Sequence, residues 1–257
     1  MRFNILKWKL MLTTLPITLL VLGVKMGLVY GLQFEGIVKF SEISLIITGG
    51  IFLIGFMLAG TLADYKESEK MPSDMACSIE TIEDLIILAH DFNPNFDLTE
   101  QRKQINDVTG SILRWFSNEE SEKVVFDRIK GLASIALLVQ NSKIGSTAAR
   151  CTAEISTLRK LFSRAVVIKK TNFLSTGYAL LEIETVALIV LLMISKFENY
   201  FIGAILVCFV THIFVYMIRL IRDIDQPFEY SSTGKKGAAE VDLFPLQDLE
   251  LRTREKL

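Results

Sequence analysis

Four apolar stretches, each about as long as the ~20 residues a helix needs to cross a ~30 Å hydrocarbon layer, constrain this chain more than any other feature. They run from about Leu10 to Leu32, from Ile43 to about Ala63, through Thr185 to Ser195, and from about Tyr200 to Leu220. A chain of 257 residues that is 51% hydrophobic and 22% charged therefore has a misleading average, because its two kinds of residue are segregated. A soluble globular enzyme is disfavoured from the outset.

The first stretch follows a basic start with Arg2, Lys7 and Lys9, as a signal peptide would. It is too long for a signal core and has no small-residue cleavage site, so it reads as a retained signal-anchor. The second holds Gly49, Gly50, Gly55 and Gly60, small residues that let helices approach closely or leave room along an axis. The third reaches full length only if extended back through Glu182 and Glu184, carboxylates expected one to two turns below the hydrocarbon. The turn Lys196-Phe197-Glu198-Asn199 joins it to the fourth as a helical hairpin.

Between Lys66 and Lys170 stand 15 basic and 15 acidic side chains, with apolar residues at helical intervals. Ile79, Ile82, Ile86 and Ala89 predict one amphipathic helix after Ser73; Ile105, Val108, Ile112 and Trp115 predict another after Thr99. Asn93-Pro94-Asn95 separates them. Ile129, Leu132, Ile135 and Leu138 form a third stripe, and Leu158, Leu161, Phe162 and Val166 a fourth after Gly145-Ser146. No strand pattern competes. The tail beyond Tyr230 reads as a poorly ordered extension. The expected organisation is an N-terminal membrane helix pair (1–65), a cytosolic helical domain (66–174), a C-terminal membrane helix pair (175–222) and a cytosolic tail (223–257).

Of the 28 basic residues, an orientation with both termini and the central domain in the cytoplasm leaves only Lys39 and Lys196 outside and Lys25 within the first span. The positive-inside rule favours that orientation, in a cell (inner) membrane. A net charge of -1 gives no field to recruit nucleic acid. Cys77, Cys151 and Cys208 have the spacing of neither a disulfide framework nor a zinc site, and read as small core residues.

No nucleophile elbow, phosphate loop, nucleotide fingerprint or metal-binding helix is present, so the chain is read as a non-enzyme without cofactor or metal. His90 beside Asp91 reads as a solvated helix end. His212, inside the fourth span, reads either as a proton relay or as an interhelical hydrogen-bonding group. Lys25 is expected to snorkel to the outer interface. Glu182 and Glu184 point to different sides of a helix, so at most one faces a pore. Thr48, Phe52 and Phe56 fall on one helical face and read either as a ring around an axis or as ordinary lipid-facing or core residues. Rings of apolar side chains gate ions by dewetting.

Phe52-Leu53-Ile54-Gly55-Phe56-Met57-Leu58, leading through Asp64-Tyr65-Lys66-Glu67-Ser68-Glu69-Lys70-Met71-Pro72, resembles the pore helix and following segment of bestrophin ion channels. Ile224-Asp225-Gln226-Pro227-Phe228-Glu229 resembles the Asn-Pro-Phe turn after their last membrane helix, and the Asp-x-Pro-Phe ending of a group of bestrophin-like membrane proteins. The motifs cover roughly forty residues; the layout of spans extends the likeness loosely over most of the chain. The resemblance implies an all-α, four-span fold with a central cytosolic helical domain, and a homo-oligomer, a pentamer, passing small anions such as chloride. It places the pore neck at Thr48, Phe52 and Phe56, where Thr48 departs from the expected apolar residue. Calcium-gated relatives follow Pro-Phe with acidic residues, whereas Glu229 is followed here by Tyr230-Ser231-Ser232-Thr233-Gly234-Lys235-Lys236, so no calcium clasp of that type is expected. Two rival readings remain: a non-conducting membrane scaffold or signalling module, and a proton-coupled carrier using Glu182, Glu184 and His212. The expected partners are the bilayer, small inorganic ions and further copies of the chain.

Overall fold

The computed structural model describes residues 5–92, 98–141, 147–230 and 239–256. Arg2, Asn93-Pro94-Asn95, Gly145-Ser146 and the stretch from Ser231 to Lys236 lie outside them. The described residues are overwhelmingly helical: α1 (Ile5–Met26), α2 (Phe40–Phe92), α3 (Leu98–Phe116), α4 (Glu122–Gly131), α5 (Ala133–Asn141), α6 (Thr147–Lys170), α7 (Ser175–Ile194), α8 (Tyr200–Asp225) and α9 (Phe244–Glu255). A π-helical turn, Gly27–Gly31, follows α1. Two strands of two residues, β1 (Val38–Lys39) and β2 (Ser195–Lys196), pair in parallel with Val38 opposite Ser195. No alternating pattern announced them, because two residues are too few to carry one.

The chain divides into two compact units, 1–64 with 172–225, and 65–171 with 226–257. Among the described residues, four helical stretches are long and apolar enough to cross a membrane, and each has its apolar part in the first unit. That unit packs Ile43, Ile54 and Met57 of α2 with Leu181, Leu188 and Phe214 of α7 and α8. Its helices are apolar on their outward faces too, as at Leu19, Ile183 and Phe209, the all-round pattern of helices solvated by lipid. Asn199 starts α8 as an N-cap, its Oδ1 accepting from the amides of Phe201 and Ile202 at 2.9 and 3.3 Å. Gly36, at φ +88°, turns the chain into β1 where a Cβ would stand 2.6 Å from the Ser195–Lys196 backbone, so no other residue fits.

The second unit is an amphipathic bundle. Ile79, Ile82 and Ile86 meet Ile105 and Ile112 in its interior, and an aromatic group closes it: Trp115 lies edge-on to Phe162, and Phe116 is 5.0 Å from Phe228. Lys169 donates to the carbonyls of Trp115 and Phe116 at 3.0 and 3.2 Å, satisfying the end of α3, and sits 4.5 Å above the Trp115 ring.

Three expectations are corrected. The second span was to end near Ala63 with a separate helix after Ser73, yet α2 runs unbroken for 53 residues through Pro72. A charged run ends a hydrocarbon-facing surface without ending a helix; burial of Pro72 between Met71 and Met75 outweighs its lost hydrogen bond. The third stripe is two helices broken at Leu132, where Ile129, Leu132 and Ile135 are buried but Val139 takes the place given to Leu138. Beyond the residues left undescribed after Tyr230, the tail is ordered: α9 packs on α3 and buries Leu246 and Leu249, preceded by the buried Val241 and Leu243. The spacing of those leucines, diluted by charges, was too sparse to read as a helix.

Candidate ion pathway

In its first-unit portion α2 has two opposite faces. Ile43, Gly50, Ile54, Met57 and Thr61 lie on one and are buried against the unit's other helices. Thr48, Phe52 and Phe56 lie on the other, with Leu45, Gly55 and Ala59, and all are exposed. Phe52 is 78% and Phe56 54% accessible, and nothing comes within 4 Å of the place where a Cβ on Gly55 would stand. The Thr48 hydroxyl donates to the Ser44 carbonyl at 2.9 Å and is thus spent within its own helix. The structure places these three sequence-selected residues on one continuous face, mostly apolar, that no part of the chain covers among the described residues.

The other sequence-selected polar residues are not brought together. Glu182 pairs with Arg222 of α8. Glu184, one half-turn further along, lies against α2, its Oε1 3.1 Å from the Cβ position of Gly50 and 3.6 Å from that of Gly49. Both carboxylates fall in the middle turns of α7, so a span of ordinary length built from α7 takes them inside it rather than below it. His212 faces α1, its Nδ1 3.1 Å from the Thr18 hydroxyl and 3.5 Å from that of Thr14. Glu182 and His212 take partners on different helices, Glu184 rests against a third without one, and the three form no proton chain among the described residues.

Lys25 differs from expectation. It does not snorkel; at 5% exposure it donates to the carbonyls of Met193 and Ser195 at 2.9 and 2.6 Å, capping the end of α7, and lies 5.3 Å from the Phe197 ring. A cap of this kind needs a cation opposite unsatisfied carbonyls from another helix, which sequence separation of this size does not reveal. Nearby, Lys196 pairs with Glu35 at 2.8 Å; the ammonium holds the Glu35 carboxyl below its usual value and is itself raised.

The Asp225-Gln226-Pro227-Phe228 segment has a role in each unit. Within the first, the Asp225 carboxylate accepts from the Phe173 amide at 3.1 and 3.3 Å, fastening the approach to α7 to the end of α8. Within the second, Phe228 is buried against Phe116, and Pro227 accepts from the Val241 amide at 3.0 Å. Tyr230 adds a hydrogen bond from its hydroxyl to the Val241 carbonyl at 2.8 Å. The motif that suggested a family is thus a structural fastening, which its spacing alone did not say.

No model of a known protein family matches the sequence, and no curated protein matches it. Solved structures do. A variant of a bacterial bestrophin homologue from Klebsiella pneumoniae superposes with a TM-score of 0.70 at 12% identity, covering 96% of this chain and 99% of that one. This chain has the bestrophin fold. A second variant from the same organism gives a TM-score of 0.72 at 11% identity over 93% of this chain and 96% of that one, and a further structure of the bacterial bestrophin homologue gives 0.69 at 12% over 95% and 97%. Because coverage is nearly complete on both sides, the likeness extends over the charged helical unit as well as the apolar helices.

Proposed function

We propose that this protein is the subunit of a homo-oligomeric, bestrophin-like ion channel, a pentamer, that passes small anions such as chloride across the cell (inner) membrane. The α2 helices surround the axis, and Thr48, Phe52 and Phe56 form the neck. The observation that carries this reading is the uncovered apolar face of α2, opposite a face packed into its own unit, on a chain with the bestrophin fold. Repeated around an axis, such a face makes a narrow apolar throat that holds water poorly and stops ions until it widens. The charged helical unit stands in the cytoplasm with both termini and extends the conduit.

The test is electrical. Purified full-length protein is reconstituted in planar bilayers beside the double variant Phe52→Ala, Phe56→Ala. A wider throat increases or deregulates the current; unchanged conductance removes both side chains from the neck. A preparation that is monomeric in mild detergent and passes no ions in liposomes assigns the chain to the scaffold reading instead. Uptake driven by a pH gradient and abolished by neutralising Glu182, Glu184 and His212 supports the carrier reading.

A further inference from the structure

The glycine pair in α2 is matched by an unpaired charge. Gly49 and Gly50 stand between Thr48 and Phe52, and the Glu184 carboxylate rests against their bare backbone. A side chain at Gly50 would meet the Phe214 ring at 2.5 Å and Glu184 at 3.1 Å, so the absence of a Cβ is what lets both approach the helix. Among the described residues Glu184 has no hydrogen-bond donor and no cation within the chain. Of the charged and titratable groups on the neighbouring elements, Arg222 pairs with Glu182, Arg219 donates to the Thr13 carbonyl, Lys25 caps the end of α7, His212 faces Thr18, Tyr178 donates to the Ile221 carbonyl and Asp225 accepts from the Phe173 amide. Between Phe40 and Thr61, α2 itself carries only Glu42.

A carboxylate without a partner in a span is costly to keep and points to an ion-handling role. The Glu184 side chain is half-buried, beside the Gly50 backbone near the Phe214 ring, so its field is screened less than that of a carboxylate in bulk water. We infer that Glu184 is a specificity-determining residue, which sets charge selectivity at the level of the neck; this rests on the channel reading above. Carried by every subunit, the carboxylates form a ring one helix layer behind Thr48 and Phe52. They disfavour an anion and favour a cation in the throat, so chloride preference is held below what the apolar neck alone would allow. The side chain acts through space rather than by touching the permeating ion.

The experiment compares unmodified full-length protein with Glu184→Gln and Glu184→Asp in bilayers under a potassium chloride gradient, reading the reversal potential. Glu184→Gln raises the chloride-to-potassium permeability ratio by about threefold or more, and Glu184→Asp, which keeps the charge, stays near the unmodified value. A conducting Gln variant with the unmodified reversal potential overturns the inference while leaving the channel standing. Unmodified protein that assembles but conducts nothing overturns the channel reading, and this one with it. Should the Gln variant fail to assemble, acidifying both chambers neutralises the carboxylate in the unmodified protein; a ratio that does not rise then overturns the inference.

Discussion

At the scale of single residues, the consequential groups are those whose environment contradicts their type. Lys25 is a cation withdrawn from solvent, held by two carbonyls. Lys25→Met removes the donor and leaves the buried carbonyls of Met193 and Ser195 unsatisfied, a cost of about 1–3 kcal/mol. Thermal unfolding in detergent should therefore show a lowered midpoint, and an unchanged one would deny the cap. Cys151 and Cys77 make a contrasting pair. Cys151 is buried, and desolvation helped by the Glu154 carboxylate pushes its thiol up to about 11, so its thiolate appears only as the pH nears that value. Cys77 is exposed. At neutral pH a maleimide should modify Cys77 and spare Cys151, as peptide mass spectrometry can read; equal labelling would mean that the core around Cys151 opens. The expectation that all three cysteines are small core residues holds for Cys151 but not for Cys77, which is exposed, and Cys208 is half-buried. The environment of Lys25 was not legible, because its partners lie about 170 residues away along the chain.

At the scale of elements, legibility followed the strength of periodicity. The stripes of Ile79 to Ala89 and Ile105 to Trp115 are dense, and both are buried as their spacing requires. Where a boundary depended on local chemistry the sequence misled: Asp64 to Lys70 and Pro72 look like a stop, yet burial around Pro72 carries α2 through them. The exposed face of α2 was legible as a set of residues, but its lack of cover within the chain became apparent only once the opposite face was seen to be packed. The tail was misjudged because α9 offers only Leu246 and Leu249 to the core. Those two leucines supply a direct test. Leu249→Ala should cost roughly 2–5 kcal/mol, the range for emptying a buried leucine site, and lower the midpoint of the charged unit's unfolding; Leu251→Ala, on the exposed side of α9, should change it little. Equal effects would mean that α9 does not pack on α3 in solution. A second test concerns close approach. A Cβ at Gly60 would fall 2.0 Å from the Phe173 ring, so Gly60→Ala must displace that ring, at a cost of about 1–3 kcal/mol. Gly55→Ala meets nothing within 4 Å and, by removing a glycine from a helix interior, should raise the stability of the subunit by about 0.5–1 kcal/mol.

At the scale of the whole molecule, the distribution of lysine and arginine and the continuity of α2 bear on the same question. Lys39 immediately precedes α2, and Cys77 lies 38 residues further along. At 1.5 Å per residue that is about 57 Å of helix, well beyond the ~30 Å hydrocarbon core, so if α2 crosses the membrane the two positions emerge on opposite sides. The charge rule says which is which: Lys39 and Lys196 are the two basic residues assigned to the outside, and β1 and β2 hold them side by side in register. A membrane-impermeant maleimide should therefore modify Lys39→Cys in intact cells and leave Cys77 untouched, and should reverse that preference in inverted vesicles. Labelling of both positions from one side would mean that α2 does not cross, and the throat proposed for it would go with that result. Labelling with the opposite preference would keep the throat but invert the channel, placing the charged helical unit outside the cell and the Glu35–Lys196 pair in the cytoplasm.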